Sequence, residues 1–185
     1  METLIISGKS QAGKDQMAQM MKSKLEAVGC NCLIIHFADL VKYFLKEFYG
    51  WDGQKDENGR ALLQTFGTNH MRATFPDYWS EVVAKFVSTA GKYEDFDVAI
   101  IPDARFENEI SVVKKYNPDA ITIRINRYNG EHPYFNPLLT EEQLAHSSET
   151  SLDDYTDWDY IVDNYTLQEL EESVETILAD TGLLA

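Results

Sequence analysis

The chain has 185 residues, of which 44% are hydrophobic and 25% charged, a globular composition with enough apolar material for a buried core. Its net charge of −15 argues against binding long nucleic acids, because their phosphate backbone requires a basic surface. The sequence contains no apolar run of about 18 residues, which excludes a membrane span. Because the first residues also lack the basic start of a signal peptide, we expect a cytoplasmic protein.

Strands and helices alternate along most of the sequence. Short apolar, β-branched runs predict strands buried on both faces, and apolar residues three and four apart predict amphipathic helices. In chain order, the predicted elements are strand 3–7, helix 14–28, strand 32–37, helices 39–49, 60–74 and 77–90, strand 97–101, helix 106–115, strand 120–125, strand 160–162 and helix 167–178. This order predicts an α/β fold with a mostly parallel sheet and helices on both faces. Ligands of such sheets bind beyond the carboxyl ends of the strands.

Charge is distributed unevenly along the chain. All 16 Lys and Arg residues lie at or before Arg127, and 17 acidic residues there leave that part near neutral. Residues 128–185 carry 14 acidic residues and no Lys or Arg. Any anion-binding site must therefore use cations from the first two thirds of the chain.

The strongest functional signal follows the first predicted strand. It reads Gly8-Lys9-Ser10-Gln11-Ala12-Gly13-Lys14-Asp15 and matches the phosphate-loop pattern G-x-x-x-x-G-K between a strand and a helix. Backbone N–H groups of such a loop bind phosphate oxygens, and Lys14 would reach the β- and γ-phosphates. Asp15 stands where Ser or Thr normally contacts Mg²⁺. A carboxylate there can hold Mg²⁺ directly or through water, or can simply suit the first turn of the helix.

Two further groups of residues follow predicted strands. Asp103 and Arg105 come at the carboxyl end of the third strand, where Asp103 would hold magnesium-bound water and Arg105 would bind a phosphate. The alternative is a capping Asp103 paired with Arg105. Arg124 and Arg127 lie on and just after the fourth strand, and their spacing places them on opposite faces. We favour Arg127 as the one that serves the site.

Two other segments are candidates for binding. Residues 62–68 precede Arg72 and Trp79 and could cradle a flat base, although core packing is the favoured explanation for Phe66 and for Trp79 when each is taken alone. Residues 128–152 show no sustained periodicity and are the predicted lid. His146 lies in this lid, where a functional and a merely structural role are both open.

Taken in order, these residues resemble the phage-type deoxynucleoside monophosphate kinases, which are relatives of adenylate kinase. The matching segments are residues 7–15, 62–68, 78–79, 101–105, 108–109, 127, 146–149, 161–164 and 167. The resemblance implies a three-layer P-loop NTPase fold with a five-stranded parallel sheet, nucleoside-monophosphate-kinase-like, with a short lid. It implies one P-loop kinase domain, 1–185, divided into a core (1–37, 95–127, 158–185), an acceptor-binding helical region (38–90) and a lid (128–152).

The resemblance also implies an activity, the transfer of the γ-phosphoryl group of ATP to a (deoxy)nucleoside monophosphate with Mg²⁺. The implied catalytic residues are Lys14, Asp103, Arg105 and Arg127. The implied ATP-binding residues are Gly8, Ser10, Ala12, Gly13, Lys14, Asp15, Gln16, Arg127 and Asn164. The implied acceptor-binding residues are Gln64, Thr68, Arg72, Trp79, Arg105, His146 and Glu149. The implied magnesium residues are Asp15 and Asp103, directly or through water.

The sequence also leads to expectations about binding partners, localisation and alternative functions. The resemblance implies small-molecule nucleotides as partners and makes a homodimer plausible, while the net charge and the lack of a long apolar run lead us to expect no long nucleic acid and no membrane as partners. It implies a bacterial cytoplasm, or a host cytoplasm if the protein is phage-encoded. The lid has no arginine, whereas adenylate kinase lids carry several, so the transition-state charge would fall on core cations. Two alternatives stay open: another small-molecule kinase of the same fold, dephospho-coenzyme A kinase-like, and a non-catalytic nucleotide-binding protein.

Overall fold

The computed structural model describes residues 1–93 and 95–184. The strands in this part of the chain are β1 (Glu2–Ser7), β2 (Cys32–Ile34), β3 (Val98–Ala104), β4 (Ile121–Asn129), β5 (His132–Pro133) and β6 (Tyr160–Asn164). Parallel pairing gives the spatial order β2-β3-β1-β4-β6. The predicted five-stranded parallel sheet is therefore confirmed. The sequence analysis missed β5, which pairs antiparallel with Tyr128 and Asn129 at the end of β4.

The helices largely follow the predicted periodicity. They are α1 (Lys14–Ala27), α2 (Asp39–Tyr49), α3 (Glu57–Gln64), α4 (Tyr78–Lys92), α5 (Glu107–Tyr116), α6 (Glu141–Ala145), α7 (Ser147–Thr150) and α8 (Leu167–Asp180). The helix predicted over 60–74 begins earlier, because the Asp56 side chain accepts a hydrogen bond from the Gly59 N–H at 2.8 Å and caps α3. It then widens into a π-helical segment over Thr65–Arg72.

Helices cover both faces of the sheet, as predicted. Apolar residues of α1 and α8 pack on one face, against Leu4 and Ile6 of β1. Residues of α4 and α5 pack on the other face, against Ile5 of the same strand. This alternation follows from the two-residue period of a strand that is buried on both sides. A separate cluster around Val41, Leu45 and Trp79 joins α2, α3 and the start of α4 beside the sheet.

The third strand extends further than predicted. Ile5 pairs with Ile101 but Ser7 pairs with Ala104, so β3 carries an irregularity at Pro102 and Asp103. Pro102 has no N–H to donate, and a bulge is where a proline is tolerated inside a sheet. Asp103 therefore lies within the end of β3 rather than after it.

The lid segment contains short elements that sequence periodicity did not reveal, namely β5, α6 and α7. Thr140 caps α6 by accepting from the Gln143 N–H at 3.2 Å. No helix in the described part of the chain has the length and apolar character to cross a membrane. The division of the chain into core, acceptor region and lid stays a prediction.

Candidate active site

The loop between β1 and α1 has the backbone of a phosphate-binding loop. Gln11 and Gly13 have positive φ angles of 59° and 108°, and alternation of this kind is typical of anion-binding nests. A Cβ at Gly8 would lie 2.5 Å from the Ile125 carbonyl oxygen, and a Cβ at Gly13 would lie 2.8 Å from the Asn164 side-chain nitrogen. Both glycines are therefore required by close packing of the loop against neighbouring strands.

Lys14 opens α1 and is held over this loop. Its Nζ donates to the carbonyl oxygens of Gly8 and Lys9, each at 2.8 Å, and the residue is only 7% exposed. Burial, followed by the positive charge of Arg105, holds the pKa of Lys14 well below its usual range. A bound phosphate would act in the opposite direction, because a nearby anion favours the protonated amine.

Arg127 and Asn164 fix the loop from its outer side. Arg127 Nη1 donates to the Gln11 carbonyl at 3.0 Å, and its guanidinium lies 4.3 Å from the centre of the Tyr134 ring. Asn164 Nδ2 donates to the Ala12 carbonyl at 2.9 Å. These two predicted ATP-binding residues thus lie against the loop backbone.

A cavity of about 770 Å³ lies beside the loop, a size suited to a small-molecule ligand. Of the predicted site residues, the following line it: Ser10, Lys14, Asp15, Gln64, Thr68, Arg72, Trp79, Asp103 and Arg105. The following lie outside its lining: Gly8, Ala12, Gly13, Gln16, Arg127, His146, Glu149 and Asn164. The cavity therefore brings together the end of β3, the phosphate loop and the helical region.

Asp103 links β3 to the start of α2. Its Oδ1 accepts from the Phe37 N–H at 2.9 Å, and its Oδ2 accepts from the Ala38 N–H at 3.1 Å. The proposed pairing of Asp103 with Arg105 is absent from the ion pairs of the described residues. The carboxylate thus closes the β2–α2 connection while it faces the cavity.

His36 is a site residue that the sequence analysis did not identify. Its Nε2 lies 3.1 Å from Asp15 Oδ1, and its Nδ1 lies 3.2 Å from Asp39 Oδ2. Burial lowers the pKa of His36, but the hydrogen bonds to Asp15 and Asp39 outweigh it and raise the pKa to about 9. His36 is therefore protonated at neutral pH and holds Asp15. Its place just after β2, at the carboxyl edge of the sheet, was the available signal.

Glu109 is a second residue that motif reasoning left without a role. It is 3% exposed, and Oε1 accepts from Arg72 Nη2 at 2.5 Å. Its Oε2 accepts from the backbone N–H groups of Arg105 and Phe106, at 2.6 and 3.1 Å. Burial raises the pKa of Glu109 to about 7, against the opposing effect of Arg72. Its position in the first turn of α5, where acidic residues are favoured, was the signal in the sequence.

Arg72 is fixed on several sides. Besides Glu109, its Nη1 donates to Asn108 Oδ1 at 3.0 Å, and its guanidinium stacks 3.9 Å from the Phe106 ring centre. Its Nε is buried and has no hydrogen-bond partner among the described residues. This guanidinium is thus held rigidly in the lining of the cavity with one donor unused.

Arg105 is held by the lid. Its Nη1 lies 2.9 Å from Glu149 Oε1 and donates to the Ser148 carbonyl at 3.2 Å. The other oxygen of Glu149 accepts from the Ser10 N–H in the phosphate loop at 2.8 Å. Glu149 therefore joins the lid, the loop and a core arginine.

The remaining candidates lie at the edge of the site. Arg124 reaches Ser7 Oγ and Asp153 Oδ1, both at 3.3 Å, and is outside the cavity lining. His146 Nε2 lies 3.4 Å from Asn69 Oδ1, and its Nδ1 contacts Ser148. His146 thus connects the lid to the π-helical segment.

The site residues fit a magnesium ion carried by a nucleotide. Among the described residues, no three His, Cys, Asp or Glu side chains form a metal-binding group. Mg²⁺ needs no such group, since one or two carboxylates together with substrate phosphates and water commonly bind it. Asp15, whose side chain is 76% exposed, and Asp103 both lie close enough to Lys14 to influence its pKa.

The fold is similar to that of several solved kinases. The chain is similar to a sugar kinase from Janibacter sp., with a TM-score of 0.58 and 11% identity over 98% of this chain and 94% of the other. It is similar to the shikimate kinase of Aquifex aeolicus, with a TM-score of 0.54 and 13% identity over the whole of both chains. For the APS kinase of Mycobacterium tuberculosis, the TM-score is 0.51 and the identity 12% over 96% of each chain. No protein-family model and no curated protein match the sequence.

Proposed function

We propose that the chain transfers the γ-phosphoryl group of ATP to the phosphate of a nucleoside or deoxynucleoside monophosphate. The observation that carries this proposal is the composition of the cavity. Three cations, Lys14, Arg72 and Arg105, share its lining with the apolar and aromatic side chains of Leu63 and Trp79. A nucleoside monophosphate needs both parts, since cations bind its phosphate and apolar surface binds its base.

The state of Arg72 supports an anionic acceptor. Its guanidinium is oriented by Glu109 and Asn108 and is stacked on Phe106, while its buried Nε has no described partner. Such an unsatisfied donor costs about 1–3 kcal/mol. Because this Nε is covered by protein atoms, a ligand phosphate would instead meet the positive charge of the oriented guanidinium, which lines the cavity.

The cavity carboxylates favour a phosphate acceptor over a hydroxyl acceptor. A hydroxyl group loses its proton during transfer, and a carboxylate commonly takes that proton. Both oxygens of Asp103 already accept backbone N–H groups, and both oxygens of Glu109 are hydrogen-bonded to Arg72 or to the backbone. Asp15, the third carboxylate of the lining, lies 3.1 Å from His36 Nε2 and is assigned here to magnesium. A phosphate acceptor is already ionised and needs no base.

In this mechanism the protein supplies charge and position. The loop amides and Lys14 would hold the ATP phosphates, and Arg72 and Arg105 would hold the acceptor. Mg²⁺, held by Asp15 and Asp103 directly or through water, would neutralise charge on the β- and γ-phosphates. Fixed cations of this kind stabilise the charge that develops during transfer and require no covalent intermediate.

A second candidate is an acceptor that carries an additional phosphate, as in a dephospho-coenzyme A kinase. The observation that favours it is a further set of cations in the same lining, Lys42, Lys55 and Arg60. Lys42 is paired with Asp39 at 2.9 Å. These cations would meet a second anionic group of a larger substrate.

The test is ADP release coupled to NADH oxidation, with ATP, Mg²⁺ and each deoxy- and ribonucleoside monophosphate in turn. Selective turnover of one or a few monophosphates is expected, and Lys14→Ala serves as the inactive control. Turnover of dephospho-coenzyme A alone would favour the second candidate. ATP binding without turnover of any acceptor would overturn the proposal in favour of a non-catalytic nucleotide-binding protein.

A further inference from the structure

Glu149 occupies an unusual place between the lid and the phosphate loop. It lies on α7 and is not part of the main cavity lining, whereas Ser10, Arg105 and Ser148 are. Its side chain is 8% exposed, and Glu149 and Ser10 also line a smaller cavity of about 90 Å³ on the lid side. The carboxylate therefore contacts Ser10 and Arg105 from outside the main cavity.

The geometry divides the two carboxylate oxygens between Arg105 and the backbone of the loop after β1. Oε1 pairs with Arg105 Nη1 at 2.9 Å, and Oε2 accepts from the Ser10 N–H at 2.8 Å. Both distances are those of charge-assisted hydrogen bonds. The contact to Arg105 uses Nη1, as does its bond to the Ser148 carbonyl. One nitrogen of the guanidinium is thus anchored to α7 while the arginine faces the cavity.

We propose that Glu149 is a positioning residue, which holds the Arg105 guanidinium and the Ser10 N–H in the geometry needed for phosphoryl transfer. The inference rests on the proposed function. It assigns to the arginine-free lid a definite task, since the lid supplies a carboxylate that orients a core arginine. Without this contact, Arg105 would lose its anchor and the loop would lose a hydrogen-bond partner.

Electrostatics agree with this assignment. Arg105 lowers the pKa of Lys14, and Glu149 acts in the opposite direction. The carboxylate therefore offsets the repulsion between two cations that must both lie near the transferred phosphoryl group. Lys9 Nζ donates to the Glu149 carbonyl at 3.3 Å and pairs with Asp153 at 2.7 Å, which ties the same segment to the loop.

The experiment compares Glu149→Gln with Glu142→Gln, a matched change at an exposed lid position. Glutamine keeps the size but can accept at only one oxygen, so one of the two contacts is lost. We expect Glu149→Gln to lower kcat about 10- to 100-fold with little change in the KM for ATP, and Glu142→Gln to behave as wild type. A kcat within about twofold of wild type would overturn the proposal.

A double-mutant cycle separates positioning from general stability. If Glu149 acts through Arg105, then Glu149→Gln should cost little in the background of Arg105→Ala, because the anchored group is already gone. Additive losses in kcat would show that Glu149 acts independently of Arg105 and would contradict the inference.

A readout without turnover keeps this inference distinct from the proposed function. In ¹H–¹⁵N spectra of the ligand-free protein, Glu149→Ala, which removes both acceptor oxygens, should shift the Ser10 amide resonance, and Glu142→Ala should not. An unmoved Ser10 resonance would overturn the positioning role. If wild type phosphorylates no monophosphate while the Ser10 shift is observed, the proposed function is wrong, but the contact between Glu149 and the Ser10 N–H is still supported.

Discussion

The pair formed by Glu109 and Arg72 gives the sharpest quantitative prediction. Glu109 is buried and accepts three hydrogen bonds, from Arg72 Nη2 and from the N–H groups of Arg105 and Phe106. Glu109→Gln replaces one acceptor oxygen by an NH₂ group, which must face either the guanidinium or the two amides. At pH 8, where Glu109 is ionised in the folded state, removing one partner of this buried pair costs about 3–5 kcal/mol in the free energy of unfolding. For a chain of this size, this corresponds to a loss of about 6–20 °C in Tm.

Replacing the other partner of the pair, by Arg72→Met, should destabilise the protein by an amount that depends strongly on pH. The pKa of Glu109 is about 7 in the folded state, above its ordinary value of 4.5. The folded state thus binds the extra proton between these pH values, and this group makes stability fall as pH rises through that window. At pH 8 the ionised Glu109 would be left without its counter-charge, and Arg72→Met should cost about 3–5 kcal/mol. At pH 5.5 Glu109 is protonated in the folded state, and the cost should shrink.

The assay is urea unfolding of both single variants and the double variant at pH 8 and pH 5.5. The double variant should cost less than the sum of the single variants at pH 8, because the two groups act as a pair. Glu107→Gln, an exposed change in the same turn of α5, is the matched control and should stay within about 0.5 kcal/mol of wild type. Additive costs that are equal at both pH values would refute the reasoning. Under the proposed function, Glu109→Gln should also raise the KM for the acceptor more than that for ATP.

Three further predictions follow from single contacts. Lys14→Ala should lower turnover about 10²- to 10³-fold with a small change in Tm, and a matching collapse of folding would show a structural role instead. Arg105→Ala should raise the acceptor KM while ATP affinity, measured by calorimetry, stays near wild type; an unchanged acceptor KM would count against its assignment. The pKa of His36, about 9 when folded, exceeds its ordinary value of 6.5, so its stabilising contribution is complete below pH 6.5 and is lost as pH rises through 9. His36→Gln should remove this dependence, which is at most about 1.4 kcal/mol per pH unit, and urea unfolding at pH 6 and pH 9.5 measures it.

Sequence periodicity predicted the fold well where elements are long and regularly patterned. Helix α2 spans Asp39–Tyr49 as predicted, and the parallel strands lie within a few residues of their predicted bounds. Strand β5 has two residues, too few to show a period, and it exists because it pairs with the end of β4. The extension of β3 past Pro102 was missed because a proline argues against a strand unless a bulge accommodates it.

The site, too, was predictable where it depends on local sequence and not where it depends on contacts between distant segments. The phosphate loop is a local structure, so Gly13 and Lys14 can be recognised from one contiguous motif. The contacts of Glu109 with Arg72 and of Glu149 with Ser10 join residues 37 and 139 positions apart. No periodicity or motif within one segment encodes such a pair. These contacts arise when the parallel strands bring their carboxyl ends to one edge of the sheet.

The uneven distribution of charge along the sequence has a structural consequence at this edge of the sheet. Glu149 and Asp153 belong to the part of the chain without Lys or Arg, and they contact Lys9, Arg105 and Arg124 from the near-neutral part. A lid with its own cations would repel these three groups whenever no nucleotide is bound. An acidic lid instead pairs with them and keeps their side chains in place. The acidity of the last third therefore does more than favour solubility, because two of its carboxylates hold the cations around the phosphate loop.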